Sequence, residues 1–341
     1  MKSVRWWLWT GVFMVLVQVM IGGITRLTGS GLSITEWDVV MGTLPPMNTE
    51  EWQEAFELYQ QFPQYELVNS DMDLQGFKNI FWWEYIHRNW ARLIGLVFLF
   101  PFLYFLYRKM IPKGFVRPLL LVFLLGGLQG FFGWIMVASG LIDKPWVSPY
   151  NLTLHLSMAL LLFLYLIWLA LSLRKKPVMA DHPVAHKGIK WILGLVVFQI
   201  VLGGFMAGTK AGLLYNTWPL MDGHLLPAKV FSGGSFFAAV LENTTSINFL
   251  HRTVGIIVFL AVVLFWLQNR RYSTEMVARL EHLLLGMVTL QFLLGIGTLL
   301  MAGDGIPVFM GVAHQVGAFV LSGIATALLF YAKRRTSLHQ E

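Results

Sequence analysis

Residues 84–107, with the sequence EYIHRNWARLIGLVFLFPFLYFLY, decide the architecture of this chain. The first residues of this segment are polar, and the rest form an apolar stretch. The stretch is long enough to cross a bilayer, because a helix needs roughly 20 mainly apolar residues to span the hydrocarbon core. With this one, eight such stretches are predicted, at 6–24, 84–107, 116–138, 151–173, 188–208, 247–268, 277–301 and 308–332. The sequence therefore predicts an all-α membrane protein with eight transmembrane helices.

The composition of the 341 residues is typical of a chain whose main solvent is lipid. Hydrophobic residues make up 56% and charged residues 13% of the chain, whereas about 25% of the residues of a soluble domain are charged. These values exclude a disordered chain and an ordinary soluble enzyme. Cysteine is absent, which excludes disulfide bonds, thiolate metal sites and a cysteine nucleophile.

The basic residues predict how the spans are oriented. Of the 25 Lys and Arg residues, 17 lie on the side of the spans that carries both termini and 8 lie on the other side. Because positively charged loops remain in the cytoplasm, we expect both termini to be cytoplasmic, in a bacterial inner membrane. The net charge of +7 is thus a topology signal, and no binding of nucleic acid is expected.

The two halves of the chain resemble each other. The segment at 84–88, EYIHR, matches the segment at 248–252, NFLHR. Each half contains four predicted spans, an even number, so both halves point the same way across the membrane. We therefore predict two tandem, pseudo-symmetric four-helix bundles, at residues 1–175 and 176–341.

The first outer loop, residues 25–83, is long and rich in aromatic and acidic residues. Within it, the sequence Asn48–Glu51 has the pattern of a capping box, in which a polar residue and an acid three positions later satisfy the first amides of a helix. We expect a short helix from Glu50 to Gln61 on the outer surface.

Four of the nine histidines occupy matching places in the two halves. His87, His155, His251 and His314 each lie near the outer start of an even-numbered span, at one depth and two to a half. Ionisable residues inside a membrane are costly and usually functional. Two imidazoles on parallel helices suit bis-histidine haem ligation, whereas zinc or copper would need further clustered ligands. For any single histidine, an interhelical hydrogen bond is the alternative.

The residues around these histidines suggest different roles for the two halves. Glu84 lies three residues before His87, on the same helix face, whereas Asn248 stands at the matching place in the second half. We interpret Glu84 as a catalytic, proton-handling group; the alternative is a helix cap. Arg88 and Arg252 are candidate partners for haem propionates, with lipid headgroups as the alternative partners.

Several further segments of the chain form a recognisable series. They are GGITRLT at 22–28, SGLS at 30–33, Trp37 to Gly42 with Pro45-Pro46, FWWEYIHR at 81–88, Gln129 to Leu141, NTWPLMDG at 216–223, and His251-Arg252. In these segments, which extend over nearly its whole length, the chain resembles the haem A synthases. The resemblance is to the branch found in Gram-negative bacteria and mitochondria. Some members carry a cysteine pair in the first outer loop, and this chain, which has no cysteine, departs from them.

The resemblance implies a membrane oxidoreductase that converts the C8 methyl of haem O to a formyl group by successive hydroxylations, giving haem A for terminal oxidases. It implies that His87 and His155 hold the substrate haem, that His251 and His314 ligate the iron of a haem b, and that Glu84 is needed for activity. Expected partners are a haem O synthase, oxidase assembly factors and an electron donor that the sequence does not identify.

Two other functions fit parts of this pattern. A di-haem, b-type electron-transfer subunit would use both histidine pairs without changing the chemistry of either haem. A transporter built on a parallel repeat would need a polar site near the middle of the membrane. For such a site the spans offer little besides Gln18, Gln129, Gln199 and Gln291.

Overall fold

The computed structural model describes residues 2–35, 43–142, 144–174, 183–270 and 275–332, with side chains from His186 onward in the fourth range. Over these residues the chain is helical, apart from turns, loops and one isolated bridge between Met221 and His224. Eight of the described helices are long and apolar enough to cross a membrane, which confirms the predicted fold class.

The membrane-spanning helices are α1, α4, α5, α6, α7, α9, α10 and α11, and the shorter α2, α3 and α8 lie in the outer loops. The helices are α1 (Lys2–Leu27), α2 (Thr49–Gln60), α3 (Pro63–Val68), α4 (Leu74–Tyr107), α5 (Val116–Ala138), α6 (Pro149–Ser172), α7 (Pro183–Gly208), α8 (Phe236–Leu241), α9 (Thr244–Asn269), α10 (Glu275–Leu300) and α11 (Val308–Ala332).

Several residues used in the predictions lie outside the described ranges. They are Trp37 to Gly42 of the first outer loop and, among the basic residues that predict the orientation, Lys175, Lys176, Arg271 and Lys333 to Arg335.

Four helices form the centre of the membrane domain. These central helices, α1, α6, α7 and α11, pack on one another. Each also packs on one peripheral helix: α1 on α4, α6 on α5, α7 on α9 and α11 on α10. The result is four helix pairs, two in each half, with the same pairing in both halves. The halves meet where α6 packs on α7 and where α1 and α6 pack on α11.

Helix α4 begins at Leu74, ten residues before its predicted start at residue 84. The additional turns are amphipathic, because Phe77, Ile80 and Phe81 are buried at helical spacing. They pack on α2, where the ring centres of Trp52 and Phe81 are 4.9 Å apart. This aromatic contact, rather than lipid, stabilises the outer end of α4.

The predicted helix start in the first outer loop is confirmed, with Asn48 as the cap. The side chain of Asn48 accepts a hydrogen bond from the backbone amide of Glu51 at 2.9 Å. In return, the Glu51 carboxylate accepts from the amide of Met47 at 2.6 Å and from the side chain of Asn48 at 2.8 Å. Helix α2 therefore begins at Thr49, one residue before the prediction.

Candidate functional site

The two histidines of the second half face each other inside the helix bundle. His251 lies on α9 and His314 on α11, and their ring centres are 6.4 Å apart at an interplanar angle of 79°. A metal held between two imidazoles, with bonds of about 2 Å, places the ring centres about 6 Å apart. The observed separation therefore matches that of two imidazoles that would hold one metal ion between them.

The two histidines of the first half occupy the matching helices. His87 lies on α4 and His155 on α6, the helices that correspond to α9 and α11 of the second half. All four histidines are partly buried residues. The structure thus places the four predicted histidines as one pair in each half.

Each histidine is held by a glutamine of the helix on which its own helix packs. In every case the side-chain amide nitrogen donates to the backbone carbonyl of the histidine and lies against the imidazole ring. The carbonyl distances are 3.1 Å for Gln18 and His87, 3.2 Å for Gln129 and His155, 2.8 Å for Gln199 and His251, and 2.8 Å for Gln291 and His314.

A glycine follows each glutamine by four residues and forms the surface on which the ring rests. A Cβ atom added at these glycines would lie very close to Cε1 of the histidine ring. The distances would be 2.9 Å at Gly22, 3.0 Å at Gly133, 3.3 Å at Gly203 and 2.9 Å at Gly295. Any larger residue at these positions would therefore require the ring to shift.

The sequence contains this arrangement as a pattern that the sequence analysis missed. Gln-x-x-x-Gly occurs at 18–22, 129–133, 199–203 and 291–295, once in each first helix of the four pairs. Residues four apart share a helix face, so the pattern predicts one polar contact and one close approach on the same side. From the sequence alone, Gln129 and Gln291 occupy matching places in the two halves, and the four glutamines are too few to favour the polar site of a transporter.

The side-chain oxygen Oε1 of all four glutamines is buried without a hydrogen-bond partner, as is Nδ1 of His251. Such unsatisfied groups are costly inside a membrane. A metal-ligating histidine usually donates its second ring N–H to an oxygen, and each of these rings is contacted by a side chain whose buried oxygen has no other partner. The residues present therefore fit a bis-histidine haem site.

Glu84 is buried and connects α4 to the start of the first outer loop. One oxygen forms an ion pair with Arg88 at 2.7 Å. The other accepts from the amide and hydroxyl of Ser33 at 2.7 and 2.8 Å and from the amide of Ile34 at 2.9 Å. The helix-cap alternative is wrong, because α4 begins ten residues earlier, with Asp73 as its cap.

The second half has corresponding contacts between a helix and an outer loop, but an amide replaces the carboxylate. Asn248 is buried and donates to the backbone carbonyl of Ala211 at 2.7 Å. Arg252 donates to the carbonyls of Tyr215 and Thr217 at 2.6 and 2.8 Å, much as Arg88 donates to that of Ile34 at 2.7 Å. Both arginines therefore hold an outer loop, and the first half alone has a carboxylate at this position.

No group of three or more His, Asp or Glu side chains suited to a metal ion occurs among the described residues.

Comparison with known proteins identifies the family. Residues 5–326 match the model of the COX15-CtaA family, described as cytochrome oxidase assembly protein. The haem A synthase of Nitrosospira multiformis is 43% identical over 328 residues, covering 94% of this chain and 90% of the relative. That of Paramagnetospirillum magneticum is 45% identical over 332 residues, covering 94% and 91%. With such matches over nearly its whole length, this chain belongs to the cytochrome oxidase assembly protein family that includes these haem A synthases.

Proposed function

We propose that this protein is a membrane oxidoreductase that converts haem O to haem A by successive hydroxylation of the C8 methyl to a formyl group. Family membership supports the reaction, and the helix bundle supports the membrane location. The observation that carries the proposal is the 6.4 Å between the ring centres of His251 and His314, a separation at which both imidazoles would hold one haem iron.

The two halves are assigned different haems. Residues 1–175 form the substrate half, in which His87 and His155 hold haem O. Residues 176–341 form the cofactor half, in which His251 and His314 hold a haem b. The assignment is supported by the position of Glu84, because the only carboxylate found three residues before one of these histidines is in the first half.

The resident haem would supply one-electron redox chemistry. The chain's own residues would hold the haems, orient their imidazole ligands and exclude water from the reacting group. The four glutamines fix the imidazole planes, and Glu84, which is paired with Arg88, is placed to accept a proton released near His87. The surrounding apolar helices keep bulk water away from the reacting methyl group.

The location and partners follow from the same assignment. We place the protein in the bacterial inner membrane with both termini in the cytoplasm, so that both histidine pairs lie toward the outer face. A haem O synthase that delivers the substrate, oxidase assembly factors that receive the product, and an electron donor are the proposed partners.

The test is the pigment content of the purified protein after expression with a source of haem O. We expect haem A in the extract, and we expect the His87→Ala, His155→Ala double variant to yield none. Recovery of haem b and unmodified haem O alone would contradict the proposal and favour the di-haem electron-transfer alternative.

The glutamines give a second prediction for the same preparation. Replacing Gln129 by leucine should lower haem A formation about 10- to 100-fold, the usual cost of losing a residue that orients a metal ligand. Replacing Gln291 by leucine is the matched variant and should shift the reduction potential and absorption bands of the resident haem b. If neither variant changed a spectrum, a potential or a rate, the glutamines would serve packing alone.

A further inference from the structure

The two halves differ in the contact between their two peripheral helices, α4 and α5 in the first half and α9 and α10 in the second. In the second half, α9 packs on α10 through Phe259 and Phe292, whose stacked rings have centres 5.0 Å apart. Phe259 lies eight residues after His251, and Phe292 directly follows Gln291. The protein's own side chains therefore fill the space between these two helices beneath the histidine pair.

The corresponding positions in the first half are glycines. Gly95 lies eight residues after His87, and Gly130 directly follows Gln129. A Cβ atom added at either glycine would have no atom within 4 Å. In agreement with this, α4 and α5 do not pack along their length as α9 and α10 do.

The space between α4 and α5 is closed at its inner end. The rings of Phe102 and Phe123 meet there, with centres 5.1 Å apart. Gly95 precedes Phe102 by seven residues, and Gly130 follows Phe123 by seven. Since seven residues are about two helical turns, the two glycines lie on the same helix faces as these rings, nearer the outer surface. They leave open the place where two further side chains would meet.

The open space leads to the histidine pair. Gly126, Gly127 and Gly130 occupy one face of α5, each with free space around it, and Gly133 lies under the ring of His155. From Phe123 to Gly133 is ten residues, or about 15 Å along the helix. We name this apolar channel, bounded by α4 and α5 with Phe102 and Phe123 at its inner end, the α4–α5 groove.

We propose that the α4–α5 groove binds the farnesyl chain of haem O. The inference rests on the proposed function, and it names the feature by which the first half selects its substrate. Haem O carries a long isoprenoid chain on its macrocycle, and haem b carries none. A groove that is apolar, extended and continuous with His155 suits that chain, whereas the Phe259–Phe292 pair leaves no such space beside His251.

The absence of cysteine from the chain allows a direct test with single-cysteine variants. Gly130→Cys and Gly95→Cys place a thiol in the groove, where the added atoms have room. Leu124→Cys is the matched control, because Leu124 is 59% exposed on α5 and lies six residues from Gly130, on another face. Each variant is treated with N-ethylmaleimide alone, with haem O and with haem b.

We expect haem O to slow alkylation of Gly130→Cys and Gly95→Cys at least about fivefold, since a bound chain excludes the reagent from the groove. Haem b should protect neither thiol, and Leu124→Cys should react equally in all three conditions. Equal protection by both haems would indicate that the macrocycle itself occupies the groove. An alkylation rate that haem O does not change would indicate that membrane lipid, and not the farnesyl chain, occupies the groove. Either result overturns the inference.

Spectral titration of the same samples separates this inference from the proposed function. If haem O binds through His87 without protecting the groove thiols, the groove assignment alone fails. If haem O binding is unaffected by His87→Ala and His155→Ala, the proposed substrate site fails.

A second pair of variants tests the groove by filling it. Gly95→Phe with Gly130→Phe rebuilds the aromatic pair of the other half and should weaken haem O binding about tenfold or more through loss of apolar contact and space. Binding of haem b to the first half and the resident pigment of the second half should persist, which shows that the variant is folded. Undiminished haem O binding would overturn the inference.

Discussion

Replacing Glu84 by glutamine is expected to lower haem A formation about 100-fold or more, within the range for loss of a positioned proton-transfer group, while haem remains bound. Glutamine keeps the size of the side chain and can still accept hydrogen bonds from Ser33 and Ile34. It cannot take up a proton or balance the charge of Arg88, which is 2.7 Å from the carboxylate. We therefore expect the variant to accumulate haem O or a hydroxylated haem.

The measurement is the pigment composition of the purified variant, by extraction and chromatography, together with its total haem content. Glu84 also anchors the first outer loop through Ser33, so loss of activity has a second explanation. Ser33→Ala removes the hydroxyl contact and leaves the carboxylate in place. If Glu84 handles protons, Ser33→Ala should retain most activity; an equal loss in both variants would assign Glu84 to loop positioning.

The matching residue in the other half provides a further control. Asn248 is fully buried and bonded to the carbonyl of Ala211. Asn248→Asp places a buried carboxylate near His251, in the half where no proton transfer is proposed. This variant should therefore change the stability of the protein or the spectrum of the proposed haem b more than the amount of product formed. Wild-type turnover in Glu84→Gln would refute the catalytic role outright.

The fold was predictable from the sequence because lipid imposes one requirement on every span. A chain crossing the bilayer must satisfy its backbone internally and present apolar side chains, so hydropathy alone locates the eight helices. The prediction was wrong at the outer end of α4, where residues 74–83 are too polar to indicate a span. They are helical because Phe77 and Phe81 pack on Trp52 of α2, a tertiary contact that hydropathy does not show.

The histidines were predictable because they recur at equivalent places, whereas their supporting contacts were not recognised. Gln18 and His87 are 69 residues apart, and nothing in either segment alone indicates that they touch. The Gln-x-x-x-Gly pattern becomes informative once each first helix is paired with its neighbour. The same holds for the difference between the two halves at the positions of Gly95, Gly130, Phe259 and Phe292. The sequence alone does not show that these positions face each other across a pair of helices.

Replacing His251 by alanine is expected to remove the haem b proposed for the second half, with the b-type absorbance of the purified protein falling about tenfold or more, since one of the two imidazoles that would hold its iron is lost. The glycine surface at Gly203 and the amide of Gln199 remain, but neither can ligate iron. His314 alone would hold the haem weakly, so the pigment should dissociate during purification. The measurement is the pyridine-haemochrome spectrum per mole of protein.

His87→Ala is the matched variant, because His87 has the same neighbours, a glutamine and a glycine on the partner helix. It should leave the b-type absorbance unchanged and abolish conversion of haem O. If the absorbance survived His251→Ala and was lost in His87→Ala, the two halves would have exchanged roles. In that case the resident haem would lie beside Glu84 and the substrate beside Asn248, and the asymmetry of these two residues would no longer explain the chemistry.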